Sequence, residues 1–315
     1  MKNKILILIL LIFSCESLLA ENLNIKSSSI NINKKDKLTI FENNVVATDK
    51  NQNIFKTNYA EYNKKLKYLE SKGETTILTS EGYFLEGKNI LFDNKNGLIT
   101  SIEKAKITDL ENNSIFLENF EYYTNKKFFK SIGNIKVIDS KNSSYNFSQI
   151  YIDEKKREIV GTDIKAYLND KSFKINEANK PRIFANTVKI KKQNSKYTKS
   201  VFTLCDYREG NKCPPWSLQA SNMEHDKKSK TIYYDNAVIK FYDLPIFYTP
   251  KLSHPDPTVD RRSGFLPPSF SNSKNLGSGI KVPYYWTVGK DKDFTLTTKL
   301  FSTENPLHLG EYRHA

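Results

Sequence analysis

The chain has 315 residues, 38% hydrophobic and 27% charged, with a formal net charge of +14. That length and apolar share suit a folded chain of about two domains, while 11 Pro and 12 Gly exclude collagen-like and other low-complexity classes. No apolar run is long enough for a membrane-spanning helix, so the charge makes nucleic acid the first partner to test.

At the N-terminus, Lys2 and Lys4 precede the apolar run 5–13, and Ala20 stands where a cleavage point would fall. A basic start, a short apolar core and a small residue before the cut predict a signal peptide over residues 1–20. Leu18 fits the −3 position loosely, and Ile12-Phe13-Ser14-Cys15 offers a competing lipoprotein-type site. Either reading sends the chain out of the cytoplasm. Removing residues 1–20 takes away Lys2, Lys4 and Glu16 and so lowers the net charge by only one. An exported chain seldom meets nucleic acid, and its lysines are scattered beside Asn without an Arg-rich helix or an aromatic-basic motif, so no nucleic-acid partner is expected. Scattered Lys reads as solvated strand faces or as a surface for anionic lipid headgroups.

Residues 21–168 repeat. Ile30/Ile32, Ala60/Tyr62, Ile90/Phe92, Phe120/Tyr122 and Ile150/Ile152 recur at a constant step of 30, with Lys34-Lys35, Lys64-Lys65, Lys95, Lys126-Lys127 and Lys155-Lys156 following. A second set, Val45/Ala47, Thr75/Ile77, Ala105/Ile107 and Ile135/Val137, keeps the same step. A spacing of two is the strand period, so each unit reads as strand, polar turn, strand. Stacked units bury together what one unit cannot bury alone, which predicts a jelly roll or a β-solenoid. The stripe Ile32, Tyr62, Phe92, Tyr122 and Ile152 faces inward in this reading, either as plain core or as the lining of a trough for an apolar ligand.

Residues 169–215 break the rhythm and form a polar connecting segment that carries Cys205 and Cys213. In an exported chain, two cysteines eight positions apart around Gly210-Asn211 favour a local disulfide, with free thiols or outside partners still open. From residue 216 to 315 the strands lengthen and alternate, as in Phe294/Leu296/Leu300 against Thr295/Thr297/Lys299, and Tyr284-Tyr285-Trp286 supplies an aromatic cluster. Ten-residue alternating strands suit an outer-membrane barrel, although a soluble sandwich gives a similar pattern.

Particular residues then point to a family. Trp216-Ser217-Leu218-Gln219-Ala220-Ser221, Leu244-Pro245-Ile246-Phe247-Tyr248-Thr249-Pro250, His254-Pro255-Asp256-Pro257-Thr258-Val259, Arg262-Ser263-Gly264-Phe265-Leu266-Pro267-Pro268 and Pro283-Tyr284-Tyr285-Trp286 follow one another in order. Together they resemble the lipopolysaccharide (LPS)-assembly protein family of Gram-negative bacteria over roughly the last hundred residues. The repeated half is similar to that family's periplasmic jelly roll in rhythm more than in residues. The resemblance implies an all-β chain: a signal peptide (1–20), an LPS-transport jelly roll (21–168), the connecting segment (169–215) and the first strands of a large outer-membrane barrel (216–315). It implies that LPS acyl chains lie along Ile32, Tyr62, Phe92, Tyr122 and Ile152, and that lysines on the rim meet lipid phosphates. Pro245 and Pro250 match family positions at a lateral gate, where residues unable to donate to a ladder weaken pairing. Family members tie jelly roll to barrel by disulfides, whereas the spacing of Cys205 and Cys213 favours a bond with each other.

The implied partners are LPS, a periplasmic jelly-roll bridge protein joined by edge-strand addition, an outer-membrane lipoprotein plug and outer-membrane lipid. The implied location is the cell outer membrane, with the N-terminal domain in the periplasm. A hundred residues supply about seven strands of ten, whereas barrels reach about 26, so the chain is expected to be C-terminally incomplete. The second reading is a soluble periplasmic LPS-bridging jelly roll, which accounts for residues 21–168 alone. No enzyme, cofactor or metal is expected. Leu276-Gly277-Ser278-Gly279 lacks the third glycine of a dinucleotide loop, and His225, His254, His308 and His314 show no ligand spacing.

Overall fold

The computed structural model describes residues 23–34, 37–168, 181–203, 215–256, 259, 261–266 and 268–315. The signal segment, most of the connecting segment and both Cys205 and Cys213 lie outside the described residues, and the cleavage and disulfide expectations with them. Every regular element described is a strand, and neighbouring strands pair antiparallel.

The thirty-residue step is one strand traverse out and one back. Leu38–Asp49 runs out and Ile54–Asn63 returns; Tyr68–Ser71 with Glu74–Leu78 runs out and Phe84–Lys88 with Leu91–Asp93 returns. Each traverse crosses two leaves of sheet and turns a corner between them. The corner in Leu38–Asp49 is a bulge between Glu42 and Val45, with Asn43 and Asn44 both at positive φ. Gly73, Gly133 and Asp163 hold positive φ at the corresponding corners, in phase with Asn43 at multiples of thirty residues. Glycine adopts that left-handed backbone at no steric cost, and Asn and Asp tolerate it better than other side chains.

The turns obey the same step. At the outer end of the second leaf, Asp49, Asp109 and Asp139 each accept through Oδ1 the backbone N–H of the residues two and four positions on. Gln52, Gly82, Asn112 and Asn142 take positive φ in those turns. At the outer end of the first leaf, positive φ falls on Lys37, Lys67, Gly97, Lys127 and Arg157. Side-chain oxygens that satisfy turn amides pin the loops, and the pinned loops keep the strands in register.

Register then lines up the core. On the first leaf an unbroken cross-strand ladder runs Ile32, Thr39, Tyr62, Leu69, Phe92, Ile99, Tyr122, Phe129, Ile152, Ile159 and Ile190. On the second leaf the ladder runs Ala47, Phe55, Ile77, Leu85, Ile107, Ile115 and Val137. The ladders face each other: the rings of Phe55 and Phe92 stack across the interior at 5.1 Å. Most of these side chains are buried, and each fully buried large one contributes about 1.5–3 kcal/mol. The outward faces carry cross-strand ion pairs such as Lys72–Glu61, Lys130–Glu121 and Lys106–Glu86, where much of the scattered lysine goes.

Pairing continues past residue 216. Arg182–Ile190, Asn194–Thr203, Trp216–Asp226, Thr231–Phe241 and Leu244–Pro255 extend the same sheet, so the first sheet ends at Pro255. The change of texture at 216 therefore falls within the sheet. A separate five-stranded sheet follows: Gly264–Phe265, Ser269–Ser273, Gly277–Thr287, Lys292–Phe301 and Leu307–His314. Its strands alternate, and one face carries Phe265, Phe270, Tyr284, Trp286, Leu296, Leu300 and Tyr312, all exposed.

Candidate functional site

All five residues of the sequence stripe stand on the first-leaf ladder, but not in one environment. Phe92, Tyr122 and Ile152 are buried, and Tyr62 is half-buried against the core. Ile32 is 63% exposed, which corrects its inward assignment. The physical reason is position in the stack. Among the described residues, Ser29–Asn33 pairs only with Leu38–Asp49, and no further layer covers Ile32 or its neighbour Ile30. Among the described residues, Leu23–Lys26 and Ser29–Asn33 each pair with Leu38–Asp49 alone, which puts both at an edge of the sheet.

The interior between the ladders is filled. Val45, Ala47, Phe55, Ile90 and Phe92 line a void of about 10 Å³, barely one water. Tyr122 and Phe129 stack at 4.0 Å farther along. Of the two sequence readings, the closed core is the arrangement present, and an acyl chain needs the leaves to part.

Closure is completed at the outer ends of the leaves, where the two rows of turns meet. Asn51 Nδ2 donates to Thr124 Oγ1 at 3.1 Å and to Asn125 Oδ1 at 3.2 Å. Thr79 Oγ1 donates to Glu154 Oε1 at 2.8 Å, and Tyr122 OH donates to Glu154 Oε2 at 2.7 Å. Lys127 Nζ pairs with Glu81 Oε1 across the same seam. Tyr83 reaches from the second-leaf turn to the Phe129 ring at 6.4 Å. Among the described residues, contact between the two turn rows is made by side chains, while backbone bonds run within each row, as in Asn94 to Lys67 and Glu154 to Lys127. A partly exposed ion pair such as Lys127–Glu81 contributes about 1 kcal/mol or less.

Electrostatics sharpen the picture. Glu154 is only 1% exposed, and burial holds its carboxyl above the usual carboxylate range, against the two hydrogen bonds it accepts. Burial likewise pushes Tyr83 up to about 12, with the Glu154 charge adding to it, and raises Tyr122 further. Sequence reasoning did not single out Glu154, Thr79 or Glu81, and it read Lys127 only as one of the lysines that follow the repeated strands. The signal that singles them out is phase within the repeat, and which turn meets which is set by the twist of the leaves.

The prolines of the expected gate lie in Leu244–Pro255, which pairs with Thr231–Phe241 on one side. The register slips between Ile239 and Lys240 beside Pro245, and pairing passes from Thr249 to Lys251 around Pro250. Asn236, at positive φ, lies opposite that second interruption.

About a third of the chain is similar to several proteins named LPS-assembly protein LptD. That of Nitrosococcus oceani is 35% identical over 117 residues, covering 36% of this chain and 15% of the relative. That of Methylococcus capsulatus is 38% identical over 107 residues (32% and 10%), and that of Francisella tularensis subsp. novicida 34% over 101 residues (31% and 11%). The matched segment thus spans a small part of each relative's length. No family model matches the chain. A solved structure of LptH, described as a periplasmic component of the lipopolysaccharide transport device of Pseudomonas aeruginosa, aligns over 44% of this chain and 81% of its own at 14% identity, with a TM-score of 0.23.

Proposed function

We propose that this relative of the LPS-assembly proteins is a non-enzymatic component of lipopolysaccharide transport to the outer membrane. Its two-leaved stack takes the acyl chains between the ladders, along Tyr62, Phe92, Tyr122 and Ile152, with Ile32 at the exposed end of the path. The observation that carries the reading is the unbroken ladder from the exposed Ile32, past Thr39, through buried Phe92, Tyr122 and Ile152 to partly buried Ile190, apolar at every position but Thr39. The names of the relatives supply the cargo.

The open edges of Leu23–Lys26 and Ser29–Asn33 suit the addition of a strand from a periplasmic bridge protein. The bare apolar face of the second sheet suits outer-membrane lipid, with Phe265, Tyr284, Trp286 and Tyr312 outward and Thr297 and Lys299 on the opposite face, as in a barrel wall. Pro245 and Pro250 cannot donate ladder hydrogen bonds, which supports a weakly paired seam for lateral release to the outer leaflet. The family resemblance adds a lipoprotein seated in the barrel. A local Cys205–Cys213 disulfide remains part of the same reading.

Binding of lipopolysaccharide by the purified full chain, compared with the same molecule stripped of its acyl chains, tests the proposal. The acylated form is expected to bind and the stripped form to lose at least about tenfold in affinity, some 1.4 kcal/mol. Equal binding of both would remove the interior as the acyl site.

A further inference from the structure

The two long margins of the stack are built differently. Along one, the leaves are joined by the chain itself, through the bulged corners at Asn43-Asn44, Gly73, Gly133 and Asp163. Along the other, described contact between the turn rows is by side chains alone. Parting the second margin would break no backbone ladder, whereas the first margin is held by the chain itself.

The turn rows also differ in charge. The first-leaf row carries Lys64, Lys65, Lys67, Lys95, Lys126, Lys127, Lys155, Lys156 and Arg157 against Asp93, Asp153 and Glu154. The second-leaf row carries Asp49, Glu81, Asp109, Glu111 and Asp139 against Lys50 and Lys141. Where the rows meet, the Glu81 carboxylate sits on Lys127, and Glu154 is covered by Thr79 and Tyr122. A carboxylate on a lysine occupies the place that a phosphate oxygen takes in a charge-assisted contact. Closure leaves Glu154 buried, and parting the rows would return it to water.

We propose that this margin is a latch. Glu81 holds the place of an anionic headgroup on Lys127, and a phosphorylated amphiphile opens the stack by displacing Glu81 from Lys127 while its acyl chains enter between the leaves. Headgroup recognition and access to the apolar interior are then one event. An uncharged amphiphile of the same chain length lacks the means to release the latch. The inference rests on the reading that the interior takes acyl chains, and it adds where the mouth is and what unlocks it.

The test uses the full chain with its native cysteines replaced and new ones at two exposed turn positions, Ser80→Cys and Lys126→Cys. Nitroxide labels at these sites report the distance across the seam, with diphosphoryl lipid A, its phosphate-free counterpart, or no lipid. The distance is expected to lengthen with lipid A alone. A Glu81→Gln variant is expected to lengthen it without lipid and to let the phosphate-free form bind. Joining the two cysteines with a short bifunctional reagent is expected to weaken lipid A binding by at least about tenfold, equivalent to 1.4 kcal/mol. Lipid A bound at an unchanged distance, or bound equally after crosslinking, overturns the latch while leaving the acyl site intact. If lipid A does not bind in any form, the functional reading falls. The latch is then judged on Glu81→Gln alone, where an unchanged distance overturns it and a lengthened one sustains it.

Discussion

The stack and the second sheet are written in the same alternating code and end in opposite surroundings. In the stack, Phe92 and Ile99 are ladder neighbours and both are buried, because the opposite leaf covers them. In the second sheet, Tyr284 and Leu296 are ladder neighbours in the same way and both are exposed, because no second layer lies over them among the described residues. Alternation specifies which side chains share a face; what covers that face depends on whether a later part of the chain folds back over it. The stack supplies its own cover every thirty residues, whereas the second sheet's face is exposed among the described residues.

The sharpest way to break that contrast is truncation of one ring in each region. Phe92→Ala removes a ring that is 2% exposed and stacked on Phe55, and it is expected to cost about 3–5 kcal/mol in denaturant unfolding of the first sheet. Phe270→Ala, at 79% exposure, is expected to stay within about 0.5 kcal/mol for the chain in solution. Equal losses would mean that the second sheet's face is covered after all. A smaller version of the same comparison uses glycine. A Cβ at Gly161 would meet the Phe147 ring at 2.3 Å, whereas one at Gly264 meets nothing within 4 Å. Gly161→Ala is expected to destabilise by about 1–3 kcal/mol through overpacking, and Gly264→Ala to leave the unfolding midpoint nearly unchanged.

A finer test lies in the pH dependence of the stack. Because burial raises the Glu154 carboxyl above its unfolded value, the folded state binds a proton more tightly than the unfolded one. Stability from this group is full below the unfolded value of 4.5 and is lost as pH rises through the raised folded value. Glu154→Gln removes the charge, keeps a carbonyl acceptor for one of the Thr79 and Tyr122 hydroxyls and places an amide N–H donor toward the other. It is expected to flatten that decline, read as the unfolding midpoint across the acid-to-neutral range. A decline as steep in the variant as in the parent chain would place the pH dependence elsewhere.

Much of the stack is legible in the sequence because every device recurs in phase. The ladder positions Phe92, Tyr122 and Ile152, the corners at Asn43, Gly73, Gly133 and Asp163, and the turn positions Lys67, Gly97, Lys127 and Arg157 each fall a multiple of thirty apart. What is not legible depends on ends and on three-dimensional neighbours. Ile32 has the right phase but belongs to a terminal strand, and periodicity does not say where a stack stops. Glu154 looks like a solvated turn residue and is buried because the turn from Thr79 to Tyr83 lies over it, a meeting fixed by the twist of two leaves. The boundary expected at residue 216 follows strand length, whereas hydrogen bonding carries the first sheet on to Pro255. The family resemblance rests on residues 216 to 315, where the alternation itself is least distinctive.

The most direct measurement of the central claim is photo-crosslinking to lipopolysaccharide from probes placed singly at Tyr62, Phe92 and Tyr122, with outward Glu61 and Glu121 as controls. The ladder positions point between the leaves, and the two glutamates pair with Lys72 and Lys130 on the outer face. Adducts from the ladder probes and none from the controls are the expected result. Adducts from Glu61 and Glu121 with none from Tyr62, Phe92 or Tyr122 would contradict the interior route.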